Sequence, residues 1–368
     1  EQAQWWGDAR VQAKNTFYLS ADTHLFRRGI RQIGTQELKN GLSYGHAPTI
    51  AHTCILPDFT LTWIITHWDY YRQTGDLSLF KSMKERIHRA FGFFRKATGK
   101  NGLLPYDNRY WLFLDWSPIF KDGYPTLYNL FYLMALRSAV ELFKLSGDSK
   151  SARLYASREK NLVSAIKKRL FNDKAGVFYG GLSWNNRPVP EDTAHVFSLA
   201  ILLDLFPEHH RTFIEKNLLP LVKGKREGRI LPSPFFMFYI FEALKKCGHT
   251  EEVIDCIERW WGRMVDKGLT TTEEGWDAEP GSSSLCHAWS AHPIIHLSNI
   301  LLGIWPEKTG WKQVRFSPTF SHANYARGKV ATPLGIIEAG WKKTKTRIEV
   351  YLNLPPGITG EIALPGKK

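Results

Sequence analysis

The chain has 368 residues, 43% hydrophobic and 23% charged, an ordinary globular composition that excludes disorder and low complexity as its main description. No apolar run approaches the roughly 18–20 residues of a membrane helix, so an integral helical membrane protein is excluded and no membrane partner is expected. Lys and Arg number 49 against 35 Asp and Glu, a net charge of +14, yet the basic clusters (Lys342-Lys343-Thr344-Lys345, Lys223-Gly224-Lys225-Arg226) are short and accompany no nucleic-acid motif. Nucleic acid is therefore set aside; a polyanionic carbohydrate or plain solubility accounts for the same excess.

Residues 9 to about 302 read as helices separated by polar, Gly- or Pro-rich loops. Val11, Phe17, Leu19, Leu25, Phe26 and Ile30 recur at near-helical spacing through the first segment. Helices are then predicted at about 57–73, 77–98, 125–146, 149–171, 190–205, 208–222, 232–247, 250–266 and 284–302. The breakers between them are Gly75-Asp76, Asn101-Gly102, Gly147-Asp148, Gly248 and Gly268. Pairs joined by two or three residues, such as 125–146 with 149–171, must pack as antiparallel hairpins. No fixed sequence period marks a solenoid. A closed ring of helical hairpins, an (α/α) toroid with its site among the loops at one end, fits this succession.

After Pro306 the pattern changes. Val314, Phe316, Val330, Ile336-Ile337, Ala339, Trp341, Ile348, Val350, Leu352, Ile362 and Leu364 alternate with polar residues, broken by Gly328, Gly335, Pro355-Pro356-Gly357 and Pro365. Period-two alternation with turn punctuation predicts a small β-sandwich. The division is a toroid over 1–304 and a β-domain over 305–368. Cys54, Cys247, Cys256 and Cys286 form no CxxC pair and read as buried free thiols, with no zinc site expected. The chain begins Glu1-Gln2-Ala3, without Met, and reads as a processed or truncated piece.

Three places stand out as candidates for chemistry. Glu1 and Asp8 flank Trp5-Trp6 at the start, the composition of a sugar site in which a ring stacks on indole while carboxylates act on its oxygens; Asp8 is equally a helix cap. Gly268 to Gly281 holds Glu273, Glu274, Asp277 and Glu279 with Trp276 in a Gly-bounded loop, which is also what a solvated acidic loop looks like. In Ser283 to Pro293, Ser282, Ser283 or Ser284 would cap a helix and put His287 in its first turn, where free backbone N–H groups favour anionic or hydroxyl ligands. Two carboxylates facing one another across a pocket would suit acid–base cleavage of a glycosidic bond.

These residues together resemble the bacterial α-L-rhamnosidases of glycoside hydrolase family 78. Glu1, Trp6, Gly7, Asp8 and Ala9 match the end of that family's Asp-x-x-x-Arg-Glu-x-x-x-x-Trp-x-Gly-Asp-Ala segment. Gly268-Leu-Thr270-Thr271-Thr272-Glu273-Glu274 and Ser284-Leu285-Cys286-His287-Ala288-Trp289-Ser290 match its later segments. Leu114-Asp115-Trp116 is similar to its Gly-Asp-Trp loop, and Val330 through Pro365 to its C-terminal β-sandwich. The resemblance implies a mainly α fold, an (α/α)6 toroid of the six-hairpin glycosidase type with its first helices missing, followed by the β-sandwich. It further implies that Glu1 is the general acid and Glu274 the general base, standing roughly 6.5–9.5 Å apart for inversion. Trp5, Asp8, Trp63, Asp115, Trp116, Trp276 and His287 would contact the sugar. Where the family carries an aromatic residue before the base, this chain has Glu273, which makes Glu273 the alternative base.

The expected activity is release of terminal α-L-rhamnose from a glycan or glycoside, without metal or cofactor. The expected partner is a carbohydrate, with plant or acidic polysaccharides as candidates, in a bacterial secreted or periplasmic setting rather than the cytoplasm. Two other readings stand beside it: a polysaccharide lyase using Tyr106, Arg109 and Tyr110, and a carbohydrate-binding relative that lacks catalysis. The sequence does not specify an oligomeric state.

Overall fold

The computed structural model describes residues 3–364 except His52, Asp192, Arg226 and Pro280. The helical part runs through α1 (Trp6–Leu19), α2 (His24–Thr35), α3 (Pro57–Thr74), α4 (Ser78–Ala97), α5 (Thr126–Leu145), α6 (Ser149–Arg169) and α7 (Ala194–Leu202). It continues through α8 (His210–Phe213), α9 (Leu219–Val222), α10 (Pro234–Lys246), α11 (Thr250–Trp260), α12 (Gly262–Asp266) and α13 (Pro293–Ile300). Local chemistry sets several of these boundaries. Pro57 opens α3, where its missing N–H leaves no bond unmade, and Gly75, at φ +75°, closes it in the left-handed conformation that glycine tolerates. The Asp148 carboxylate caps α6 by accepting from the Ser151 N–H at 3.0 Å.

Helix character decides position in the ring. Helices α3, α5, α7 and α10 are buried on nearly every face, whereas α4 and α11 bury one stripe and leave the other polar. The all-round apolar helices therefore line the inside and the amphipathic ones stand outside. The inner succession α1, α3, α5, α7, α10 is completed by α13, which packs against α1, so six inner helices close the ring among the described residues.

The predicted helix at 208–222 is a composite, with a π-helical turn at Ile214–Leu218 between α8 and α9. Pro220 has no N–H for the Lys216 carbonyl, and Arg229 Nη2 donates to that oxygen instead at 3.0 Å. The predicted helix at 284–302 shortens to α13, preceded by a 3-10 turn at Ala288–Ala291. His287 consequently lies in extended backbone before that turn, and the expectation that it sits in a helical first turn is corrected.

Short two-residue strands β1 (Tyr124–Pro125), β2 (Phe171–Asn172), β3 (Val177–Phe178), β4 (Gly181–Leu182) and β5 (Pro188–Val189) punctuate the helical loops. The C-terminal part holds β6 (Ile304–Pro306), β7 (Gln313–Phe316), β8 (Tyr325–Thr332), β9 (Gly335–Lys343), β10 (Ile348–Asn353) and β11 (Thr359–Ile362). They form two three-stranded sheets, β8–β9–β10 and β6–β7–β11, antiparallel except for the parallel pair β7–β11. Two indoles fasten this domain to the ring. Trp311 is buried and donates to Gln73 Oε1 at 2.8 Å, while Trp341 donates to the Leu301 carbonyl at 2.6 Å. All four cysteines are free, but only Cys256 is buried; Cys54 and Cys247 are partly covered and Cys286 is exposed, against the expectation of four buried thiols. Among the described residues no helix is long and apolar enough to cross a membrane.

Candidate active site

At the end of the ring where α1 and α3 begin, a small cavity of about 140 Å³ is bounded by Trp5, Asp8, Leu56, Phe59, Trp111, Phe113, Trp116, Glu274, His287 and Trp289. Asp8 sits in the first turn of α1, whose exposed N–H groups favour a carboxylate there. Its Oδ1 lies 2.7 Å from His287 Nε2, and both side chains are buried. On the other side of the imidazole, Nδ1 stands 4.0 Å from Glu274 Oε2. One histidine therefore lies between two carboxylates at the pocket wall.

The segment carrying Glu274 and His287 is held by a ladder of hydrogen bonds that its sequence supplies. The His287 N–H donates to the Thr272 carbonyl at 2.8 Å, and Thr272 Oγ1 donates back to the His287 carbonyl at 2.8 Å. Thr271 Oγ1 donates to the Leu285 carbonyl at 2.6 Å, and the Glu274 N–H to the Ser284 carbonyl at 2.9 Å. Repeated threonines followed by serine and histidine are thus the residues that pair two irregular strands of loop. The Glu274 carboxylate is fixed in turn: Trp116 Nε1 donates to Oε1 at 3.0 Å and the Ser284 N–H to Oε2 at 3.0 Å.

Glu273 goes the other way, as neighbouring side chains do in non-helical backbone. It is buried, its Oε1 lies 3.2 Å from Lys267 Nζ, and it is not among the residues lining the cavity. Three other expected sugar contacts also lie outside the cavity wall, each because its polar group is engaged elsewhere. Trp63 is buried and donates to the Ile30 carbonyl at 2.9 Å. Trp276 donates to the Pro232 carbonyl at 2.7 Å and packs edge-on to Trp260 and Trp261. Asp115 is a fully buried hub that accepts from Ser117 Oγ at 2.6 Å, the Ser233 N–H at 3.0 Å, His195 Nε2 at 2.8 Å and Ser233 Oγ. Burial alone would raise its pKa, but these donors outweigh it and hold the carboxyl below the usual value. Glu1 lies outside the described residues.

Sequence reasoning passed over Trp111, Phe113 and Trp289, which complete the aromatic wall. Trp111 meets Trp5 and Trp116 with ring centroids 6.0 Å apart in each case, Phe113 meets Trp116 at 5.0 Å, and Trp289 meets His287 at 4.4 Å. The alternation Trp111-Leu112-Phe113 just before Trp116 was the available signal, since an extended segment turns every second side chain to one face. This segment is anchored by Asp58, which accepts from the Leu114 N–H at 2.8 Å. Burial pushes the Asp58 carboxyl up to about 6 despite the N–H donors of Leu114 and Phe113. Among the described residues no three His, Cys, Asp or Glu side chains gather as a metal-ligand set.

A six-hairpin ring of helices whose inner ends open on a small pocket walled by indoles and carboxylates defines a toroid of the glycosidase type. The sequence profile described as the bacterial α-L-rhamnosidase six-hairpin glycosidase domain matches residues 1–301, and that of the bacterial α-L-rhamnosidase C-terminal domain matches 303–368. The chain belongs to the bacterial α-L-rhamnosidase family. A curated α-L-rhamnosidase from Alteromonas sp. (strain LOR) is 23% identical over 337 residues, covering 82% of this chain and 34% of that protein. The crystal structure of a family 78 rhamnosidase from Bacillus sp. GL1 superimposes with a TM-score of 0.91 at 25% identity, over 99% of this chain and 39% of that one. The Streptomyces avermitilis α-L-rhamnosidase complexed with L-rhamnose gives a TM-score of 0.81 at 19% identity, over the whole of this chain and 35% of that one, which supports the fold. The chain therefore spans little more than a third of the length of these relatives.

Proposed function

We propose that this chain carries the catalytic site of an α-L-rhamnosidase, a glycoside hydrolase that releases terminal α-L-rhamnose with inversion of configuration. The observation that carries the reading is the Glu274 carboxylate, held in the pocket by the Trp116 and Ser284 N–H groups beside the Asp8–His287 pair. Its remaining lone pairs are free to accept a proton from water. In the proposed step a water oxygen bonds to the anomeric carbon while Glu274 takes its proton. The glycosidic C–O bond breaks, and its electron pair leaves with the aglycone oxygen, which is protonated by the general acid. That acid is assigned to Glu1 on the family resemblance, with the two carboxyls roughly 6.5–9.5 Å apart.

Asp8 and His287 are assigned to sugar hydroxyls, and Trp5, Trp111, Trp116 and Trp289 to the faces and methyl group of the deoxysugar. Glu274 is preferred to Glu273 because Glu273 is buried against Lys267, away from the cavity. The substrate is proposed to be a plant or acidic polysaccharide, for which a net charge of +14 provides attraction over distance.

The lyase reading is not favoured. Arg109, which would have to neutralise a uronate, is closed in a fork on Asp107, with N···O distances of 2.9 and 2.6 Å. The test is hydrolysis of an aryl α-L-rhamnoside by the chain and by its Glu274→Gln variant. Turnover that falls by about 10³-fold or more in the variant supports the assignment, general-base removal alone accounting for roughly 10²–10⁴. Turnover surviving the change overturns it, and binding without turnover in the parent would point to the non-catalytic relative.

A further inference from the structure

One face of the sheet β8–β9–β10 is packed and the other is open. On the packed face Val330, Ile337, Ala339 and Trp341 are buried, and Trp341 reaches the Leu301 carbonyl of the ring. Alternation then turns Tyr325, Arg327 and Lys329 of β8 outward, with Glu338, Gly340 and Lys342 of β9 and Glu349 and Tyr351 of β10.

Gly340 lies at the centre of the open face. The register sets it between Arg327 and Tyr351, which flank a bare stretch of backbone two strand spacings, or about 9–10 Å, apart. A Cβ at 340 would stand 2.9 Å from the Ala326 carbonyl oxygen, so a larger residue there requires the backbone to move. The missing side chain leaves a groove of about 760 Å³ on the Tyr325 side. It continues into one of about 340 Å³ on the Lys329 side, with Arg327 and Tyr351 lining both.

The charges of this face are sorted. Glu338 is occupied by Lys329 Nζ at 2.5 Å and accepts from the Tyr351 hydroxyl at 3.1 Å, which also fixes the phenol ring. Glu349 is occupied by Arg347 Nη2 at 2.7 Å. Among the described residues Arg327 and Lys342 form no ion pair, and the register makes them diagonal neighbours about 7–8 Å apart. Beside these two cations the phenol rings of Tyr325, 69% exposed, and Tyr351, 48% exposed, are presented to solvent.

A ligand that matches offers carboxylates for Arg327 and Lys342 and C–H ring faces for the tyrosines. Uronate residues of an acidic glycan carry both. A nucleic-acid strand fits less well, because Glu338 and Glu349 in the same face would oppose its closely spaced phosphates, whereas carboxylates accept from sugar hydroxyls.

We infer that this face of the β-domain is an accessory binding surface for an acidic polysaccharide, with Arg327 and Lys342 taking uronate carboxylates and Tyr325 and Tyr351 stacking on the sugar rings. The choice of a glycan rests on the rhamnosidase reading; the surface itself shares no residue with the catalytic pocket.

The test is calorimetry on the full chain with a galacturonate hexasaccharide and a neutral glucose hexasaccharide, beside hydrolysis of an aryl α-L-rhamnoside. The acidic ligand is expected to bind about tenfold more tightly than the neutral one or better, with an affinity that falls as salt is raised. Arg327→Gln with Lys342→Gln should weaken it by about tenfold and Tyr325→Ala by about threefold, at unchanged Tm and with rhamnoside turnover within about twofold of the parent. Lys150→Gln with Lys174→Gln removes the same charge from exposed positions elsewhere and should have little effect. Equal losses in the two double variants would assign binding to net charge and overturn the surface. Equal affinity for the two hexasaccharides overturns it as well, and tighter binding of a thymidine oligonucleotide, lost in the same variants, would make it a nucleic-acid face. Turnover without galacturonate binding removes the surface and leaves the activity. Binding that depends on Arg327 and Lys342, without turnover, keeps the surface and removes the activity.

Discussion

At Glu274 two adjacent acids with the same side chain have different fates, and the difference is one of direction. Glu274 faces the cavity and two N–H donors; Glu273 faces Lys267 and the protein interior. Glu273→Gln is therefore expected to act on stability, lowering Tm by a few degrees while kcat/KM on an aryl rhamnoside stays within about tenfold, in contrast to the loss expected for Glu274→Gln. Leu114 is a second residue-scale case. It occupies the position where the resembled family has glycine and adopts φ +56°, in the left-handed region. That conformation costs roughly 1–2 kcal/mol for a residue with a Cβ, but burying a leucine side chain contributes about 1.5–3 kcal/mol. Leu114 is 2% exposed, so burial outweighs strain. Leu114→Gly is expected to leave the Tm unchanged or slightly lower, never markedly higher, as differential scanning fluorimetry would show.

At the scale of elements, the site depends on the loop ladder between 271 and 287 rather than on a helix. Thr272 is its central rung, reciprocally bonded to His287. Thr272→Val keeps the shape and removes one side-chain bond, at a stability cost of about 1 kcal/mol. Because His287 then loses the constraint on its carbonyl, kcat/KM should fall by about tenfold or more while Tm changes little; an unchanged kcat/KM would remove the ladder from the account of catalysis. The helices of the ring were legible in the sequence because apolar spacing and glycine breakers coincide at Gly75, Gly147 and Gly248. The last helix was misread: Ser284 to Ser290 carries cap-like serines, yet its polar groups bond across to 271–274 instead of forming a first turn. Competition from a partner strand of loop is not visible in local propensity.

The whole molecule joins its two parts through buried indoles, and the ring itself holds buried charges. Trp311 sits 1% exposed between Tyr18 and Gln73, and Trp311→Ala is expected to cost about 3–5 kcal/mol, with limited proteolysis cutting between residues 300 and 313 faster than in the parent. Inside the ring Arg10 and Lys14 meet Asp69 at 2.7 and 2.8 Å. Burial would raise the Asp69 carboxyl, but these cations hold it down to about 2. Its stabilisation is full above the unfolded value near 4 and is lost as pH falls toward 2. Asp58 has the opposite sign: with its carboxyl raised to about 6, the fold favours the protonated form, so its contribution is full below about 4 and lost as pH rises through 6. Burial holds His67, His292 and His296 neutral and lowers their pKa values, so they add stability as pH rises from 4 to 7. Against that rise, Asp58→Asn should increase the gain in denaturant-derived stability between pH 4 and pH 7 by roughly 3 kcal/mol over the parent; the same profile in both proteins would assign the pH dependence to other groups.

The sequence by itself determined the ring and its appended sheets, because the 3.6-residue and two-residue apolar periods, and the residues that interrupt them, are local properties that need no partner. It also singled out Trp5 to Asp8 and Thr270 to Ser290 as candidates, because they bring acids and indoles together along the chain, while Leu114 to Trp116 stood out only through the family resemblance. Only the tertiary structure decided which members of those segments face the pocket. Asp8 meets His287 across 279 residues, Trp116 reaches Glu274 across 158, and Trp63, Asp115 and Trp276 turn inward to satisfy buried hydrogen-bonding groups. Side-chain direction in irregular backbone is set by which long-range donors and acceptors are in reach, and that reach exists only once the ring has closed.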